Sequence, residues 1–141
     1  MAKFLVMVCA VIAAIFMLIT SARAEVDIVI DISEQTMYVE TPLEAYEWPV
    51  STGRKGYATP RGSYQPYLMK PMHYSSKYDN APMPNSIFFH GGYAIHATEA
   101  INKLGHPASH GCVRLHPQDA KWLYRLVKEY GKENTYIYIQ D

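Results

Sequence analysis

From Glu25 to Asp141 the chain is a run of short alternating segments broken by turns, with a single stretch of helical period near its end. Val26-Asp27-Ile28-Val29-Ile30-Asp31-Ile32 alternates apolar and polar residues at nearly period two, as a half-buried strand does. Ser33-Glu34-Gln35 reads as a turn, and Thr36-Met37-Tyr38-Val39-Glu40 as the returning strand of a hairpin. Trp48–Gly53 reads as a further strand ending at a glycine turn, and Thr59-Pro60-Arg61-Gly62 as a turn before a strand over 63–69. Ile87–His90 and Tyr93–His96 read as two strands separated by Gly91-Gly92, and Thr135–Ile139 as the closing strand. Residues 71–86, rich in Pro, Asn, Ser and Tyr, read as a long loop and a candidate lid.

The helix is expected from Pro117 to just before Gly131. Proline suits a first helical position, Asp119 sits in the first turn, and Gly131 marks the stop. Ala120, Leu123, Leu126, Val127 and Tyr130 fall at helical spacing and form the stripe that faces a core. A chain with many strands and one amphipathic helix is expected to be mainly β: a sandwich or partly closed barrel of mixed strands with one packed C-terminal helix.

The first 24 residues read as a secretion signal. Lys3 precedes an unbroken apolar run from Phe4 to Ile19, and Ala22-x-Ala24 is the small-residue pattern cut by signal peptidase. The run is nearly long enough for a membrane span, but the cleavage pattern directly behind it argues for removal over a retained anchor. The expected organisation is therefore a signal peptide over 1–24 and one catalytic-sized domain over 25–141, exported to the periplasm or cell envelope with no membrane anchor. With Lys3 and Arg23 gone, the 13 basic residues become 11 against 13 acidic ones. That balance excludes the basic face a nucleic-acid partner requires.

Cleavage also removes Cys9 and leaves Cys112 alone, in the run Ser109-His110-Gly111-Cys112-Val113-Arg114-Leu115. Exported chains usually pair their cysteines, so a solitary thiol among imidazole and guanidinium groups is a candidate nucleophile; the competing reading is a small buried core residue. A thiol needs a base, a cation or backbone N–H donors to react near neutral pH. His96, at the end of its strand, is the candidate base. His110 stands two residues before the thiol and, in an extended segment, would share its face; a structural histidine bonded to backbone is the equal alternative. Arg114, two residues beyond, would favour thiolate or hold a substrate carboxylate. Gly111 leaves space for an N–H directed at an oxyanion. His90 either lines the site or packs beside it, and His73, His106 and His116 read as loop or surface groups. The histidine spacings mimic a metal site only loosely, without His-Glu-x-x-His or Cys-x-x-Cys, so no metal is expected.

The run Ser109-His110-Gly111-Cys112-Val113-Arg114, with Ile95-His96 and Gly105 before it, resembles the L,D-transpeptidase catalytic domain, also called YkuD. Thr52-Gly53, Ala58–Gly62, Met83-Pro84 and Asp119-Ala120 extend the likeness over the mature chain. The resemblance implies Cys112 as nucleophile and His96 as its proton acceptor and donor. It also implies that Ser109, His110 and Gly111 support the geometry and oxyanion site, and that the Ala97 carbonyl orients the imidazole. Arg114, His90 and Tyr93 are candidate substrate contacts. The implied reaction is acyl transfer on peptidoglycan stem tetrapeptides with release of terminal D-alanine, giving 3→3 cross-links, without a cofactor. Water as acceptor would make the site an L,D-carboxypeptidase, and an outer-membrane protein as acceptor would make it an anchoring enzyme. A slow or non-catalytic wall-binding protein and a metal-dependent peptidase are the alternatives of other classes.

Overall fold

The computed structural model describes residues 23–141, so nearly all of the expected leader lies outside it. The strands run β1 (Val26–Asp31), β2 (Thr36–Glu40), β3 (Ala45–Ser51), β4 (Gly62–Tyr64), β5 (Leu68–Tyr74), β6 (Pro82–His90), β7 (Tyr93–Ala97), β8 (Val113–Leu115) and β9 (Thr135–Gln140). Among the described residues one α-helix, α1 (Pro117–Tyr130), precedes β9. All nine strands join one sheet in the order β4-β9-β1-β2-β3-β8-β7-β6-β5. The sheet is mixed: β1 runs parallel to β9 and β7 parallel to β8, while the other neighbours are antiparallel. Through β3, which pairs with β2 along its length and with β8 at its end, the sheet curls and encloses a core.

The alternation in the sequence becomes alternation of burial. In β1, Val26, Ile28 and Ile30 are buried while Asp27, Val29 and Asp31 are only partly covered; β9 repeats the pattern with Thr135, Ile137 and Ile139. The expected hairpin forms, with Asp31 paired to Thr36 at its closed end. The core gathers these residues with Met37, Val39, Val50, Ile87, Phe89, Ile95, Ala97, Val113 and Leu115, drawn from both halves of the curled sheet.

α1 supplies the remaining wall. Pro117 takes an early position where a missing N–H costs no hydrogen bond, and the His116 imidazole caps the end by accepting from Gln118 N at 3.2 Å. Ala120, Leu123, Leu126 and Val127 are buried, and Tyr130 packs at the edge of the same core. This stripe lies against β1, β6 and β7. Gly131 N–H closes the helix on Val127 O at 2.9 Å.

The expected loop over 71–86 is instead a β-hairpin: β5 and the first half of β6 pair from Leu68↔Phe88 to Tyr74↔Pro82, and only 75–81 turn. The prolines misled because proline usually interrupts a sheet. Here Pro71 lies on an edge strand, and Pro82 and Pro84 lie where β6 has a neighbour on one side only, since β7 reaches no further than Ile87. A proline without a ladder bond to donate is tolerated at such positions. The strand expected over 63–69 is likewise two, β4 and β5, on opposite edges of the sheet.

Candidate active site

β7 and β8 run side by side with His96 registered to Arg114. Alternation turns Ile95, Ala97, Val113 and Leu115 into the core, and Ala94, His96, Cys112 and Arg114 to the opposite face. There a cleft of about 1010 Å³ opens. Cys112, His96, Arg114, Ser109 and His110 line its floor, and the β5–β6 hairpin makes its far wall through His73, Lys77 and Tyr78.

Cys112 is half-buried and packs on Met83, Phe88 and Ala94. Burial raises its thiol pKa above the ordinary value, and the Ala94 backbone and the Arg114 charge offset that only in part. His96 is 7% exposed, and burial lowers its pKa to about 4, against the hydrogen bond its ring makes to backbone. That bond joins Nδ1 to Ala97 O at 2.7 Å. A carbonyl only accepts, so Nδ1 carries the proton and Nε2 keeps its lone pair for the cleft. The arrangement at rest is a neutral thiol and a neutral imidazole.

The loop before the thiol is not extended. Gly111 has φ +116°, a conformation that other residues rarely adopt, and a Cβ there would lie 2.4 Å from a ring carbon of Tyr93. His110 therefore shares the cleft with Cys112 but not by strand alternation. Its imidazole is sandwiched by aromatic rings, stacked on Tyr78 at 4.0 Å and edge-on to Tyr57 at 4.8 Å. Arg54 lies over Tyr57 and Lys77 over Tyr78. Partial burial and then the cations Arg54, Arg114 and Lys77 hold His110 below its usual pKa.

Buried hydroxyls fix the loop's shape. Ser109 Oγ donates to Cys112 O at 2.6 Å and accepts from Gly111 N at 3.0 Å. Thr59 Oγ donates to Gly111 O and accepts from Gly53 N, both at 2.9 Å. Thr52 O accepts from Ala108 N and Ser109 N, while Thr52 itself is gripped at both ends by the buried Gln35 side chain. Thr59, Thr52, Gln35, Tyr57 and Tyr78 were not singled out by reading the sequence. Thr59 and Thr52 stood in stretches read as a turn and a strand end and as part of the family likeness, without a role for either side chain, and nothing local in the sequence places Gln35 beside Thr52.

Other expectations are corrected. His90 is exposed, stacks on Tyr93 and lies tilted against Tyr64, and does not line the cleft, because the Phe88–His90 irregularity turns it away. Tyr93 does not line the cleft either; its ring lies under Gly111 and so supports the loop. His73, read as a surface group, sits on β5 and lines the cleft, edge-on to Phe88. His106 is exposed and His116 is the helix cap. Among the described residues no group of three or more His, Cys, Asp or Glu is placed to hold a metal ion, and no helix is long and apolar enough to cross a membrane.

Residues 25–138 match the YkuD family, the L,D-transpeptidase catalytic domain. The Bacillus subtilis (strain 168) protein YciB, provisionally named an L,D-transpeptidase, is 32% identical over 120 residues, covering 73% of this chain and 61% of that protein. A solved L,D-transpeptidase from Stackebrandtia nassauensis superposes with TM-score 0.70 at 29% identity, over 84% of this chain and 56% of that one. One from Mycobacterium smegmatis superposes with TM-score 0.73 at 24% identity, over 84% and 59%, which shows a shared fold. The chain spans about three-fifths of the length of these relatives.

Proposed function

Because this chain belongs to the L,D-transpeptidase catalytic domain (YkuD) family, we propose that it is a peptidoglycan L,D-transpeptidase whose nucleophile is Cys112 and whose proton carrier is His96. The observation that supports this reading is that one deep cleft brings together the thiol and an imidazole oriented through Ala97 O, its Nε2 left as base. The cleft lies at the upper end of the size range for small-ligand sites and has room for a peptide.

The chemistry follows from the resting protonation. Cys112 Sγ attacks the carbonyl of the third residue of a stem tetrapeptide as its proton passes to His96 Nε2, so that neither charge forms before substrate is in place. The tetrahedral oxyanion is met by the backbone N–H of Cys112, since that of Gly111 already donates to Ser109 Oγ. The carbon–nitrogen bond to terminal D-alanine breaks, His96 protonates the departing amine, and a thioester remains on Cys112. The amine of a second stem attacks the thioester and loses its proton to His96; the thiol is released and a 3→3 cross-link results. Arg114 on the floor and Lys77 on the far wall are the cations of the cleft that could meet the carboxylates of stem peptides. Ser109, His110 and Gly111 shape the loop. Residues 1–24 are proposed to be removed on export to the periplasm or cell envelope.

The test is incubation of the protein, and of Cys112→Ala, with purified disaccharide-tetrapeptide, read by mass spectrometry. Dimers lacking one D-alanine from the wild type alone are the expected result. Tripeptide alone would mean that water is the acceptor, or that the acceptor is a protein missing from the assay. Unchanged tetrapeptide in both samples would overturn the reading. Intact mass of the exported protein, expected to begin at Glu25, checks the processing.

A further inference from the structure

We propose that Thr59 is a positioning residue of the acyl-transfer site, which aims the Cys112 N–H at the oxyanion by holding the Gly111 carbonyl; the inference rests on the thiol chemistry proposed above.

The Thr59 hydroxyl is 2% exposed and has two partners, both backbone. Gly53 N–H can only donate, so the hydroxyl oxygen accepts from it. Gly111 O can only accept, so the single hydroxyl proton is committed to it. The direction of both bonds is thereby fixed, and no alternative rotamer of the hydroxyl satisfies both groups.

Gly53 is itself held on both sides. It bridges to Ser109, with Arg54 N donating to Ser109 O at 3.0 Å and Ser109 N to Thr52 O at 3.0 Å. The turn behind it is tight enough that a Cβ on Gly53 would lie 1.7 Å from Tyr57 O. Thr59 thus ties the 109–112 loop to a rigid turn at a second point, two residues from the bridge.

The consequence lies in the next peptide unit. No peptide bond in the described chain is cis, and in a trans peptide the C=O and N–H point in opposite directions. A Gly111 C=O directed at Thr59 therefore directs Cys112 N–H the other way. That N–H has no acceptor among the described residues, which leaves it free for a ligand oxygen beside the sulfur of the same residue. Ser109 fixes the neighbouring groups, Gly111 N and Cys112 O, but not this plane. With Gly111 at φ +116° and free of a Cβ, the plane has no steric brace of its own. The one bond that sets its rotation is the one from Thr59.

Alkylation and acylation separate this role from general support. Alkylation by iodoacetamide needs the sulfur to be reachable and deprotonated but builds no oxyanion. Acylation by p-nitrophenyl acetate, with release of p-nitrophenolate, needs the same sulfur and an oxyanion donor as well. Both reactions proceed without the natural stem peptide, so failure of wild-type protein on tetrapeptide would speak against the function and leave this comparison intact. In Thr59→Val the alkylation rate is expected to stay within about twofold of wild type while acylation falls about tenfold to a hundredfold, the scale of weakening one oxyanion donor. Thr59→Ser, which keeps the hydroxyl, should restore acylation. Equal loss of both rates in a folded Thr59→Val protein, unchanged acylation, or failure of Thr59→Ser to restore it would each overturn the proposal. If Thr59→Val does not fold, Thr59→Ala, with room for a water between Gly53 N and Gly111 O, carries the comparison. It should show the same selective loss of at least threefold, and equal rates there would overturn the proposal.

Discussion

Replacing His96 by glutamine should flatten the acid side of the stability curve, and the size of the effect follows from the environment of the imidazole. His96 is 7% exposed, and burial lowers its pKa from the ordinary 6.5 to about 4. In the unfolded chain it takes up a proton as pH drops below about 6.5; in the folded protein it does so only near pH 4. Between those values the unfolded state binds more protons, so stability falls as pH falls, and the loss is complete below about pH 4. The gap corresponds to about 3 kcal/mol, most of it spent by pH 4.5. Asp31 and Asp141, whose carboxyls sit below their usual range, add to the acid sensitivity, and Asp119, whose carboxyl burial holds above it, opposes it. They are common to both proteins and cancel in the difference. Urea unfolding at pH 7.5 and 4.5 is the assay. Wild type should lose about 2–3 kcal/mol more between the two than His96→Gln, whose amide has no titration in this range. Parallel losses within about 0.5 kcal/mol would show that the imidazole is not held neutral by burial, and the resting state argued above would fail with it.

The same environment governs the thiol: iodoacetamide alkylation of Cys112 should climb with pH through a range above that of a free thiol, and a plateau at pH 5–7 would reveal a preformed thiolate–imidazolium pair instead. Ser109→Ala removes a hydroxyl bonded to Gly111 N and Cys112 O and should cost about 1–3 kcal/mol in urea unfolding. Gly111→Ala drives a methyl to within 2.4 Å of the Tyr93 ring at a positive φ, and should abolish acyl transfer; Gly91→Ala, at φ +50° but with open space at its Cβ, should cost about 1–2 kcal/mol of stability and leave acyl transfer near wild type. Leu123→Ala empties a fully buried place where α1 meets the sheet, at about 2–5 kcal/mol, and a smaller loss would show that the helix settles into the gap.

The elements read correctly from sequence are those whose signal is periodic and local. β1, β2 and β9 alternate, α1 carries a stripe with a proline before it and a glycine after, and each has nearly the expected bounds. The site's floor was legible in part: Tyr93–His96 reads as a strand and Arg114 stands two residues beyond Cys112, but β8, which sets Arg114 beside His96, was not read as a strand. Illegible were features that depend on position in the sheet. Pro71, Pro82 and Pro84 signal a loop until β5 is known to be an edge and β6 half-covered there. His90 follows the alternation of its strand up to an irregularity that the sequence does not announce. Thr59 is 52 residues from its partner Gly111, and Gln35 is 17 from Thr52. No window of sequence holds either pair.

Burial acts on both members of the candidate pair in the same chemical sense. It raises the Cys112 pKa and lowers that of His96, and each shift favours the uncharged form. A thiol with an ordinary base beside it would ionise at rest and stay open to any oxidant, since oxidation follows thiolate character and exposure. Here the charge that would separate the pair is deferred until a carbonyl is in position to take electrons from sulfur. For a thiol that is alone among the described residues, in a protein proposed to work in an oxidising envelope, that deferral would protect the sulfur without a neighbouring cysteine to resolve it. It also shifts the burden of catalysis onto groups that act only once the oxyanion forms. The loop is accordingly braced by hydroxyls and backbone: Ser109, Thr59 and Thr52 carry no charge that would draw the proton off Cys112 early. Arg114, the cation beside the sulfur that favours thiolate, is itself half-buried and is outweighed by burial of the sulfur. A substrate carboxylate paired with Arg114 would weaken even that pull. The attack on the acyl carbon must therefore draw its driving force from proton transfer to His96 and from the oriented Cys112 N–H.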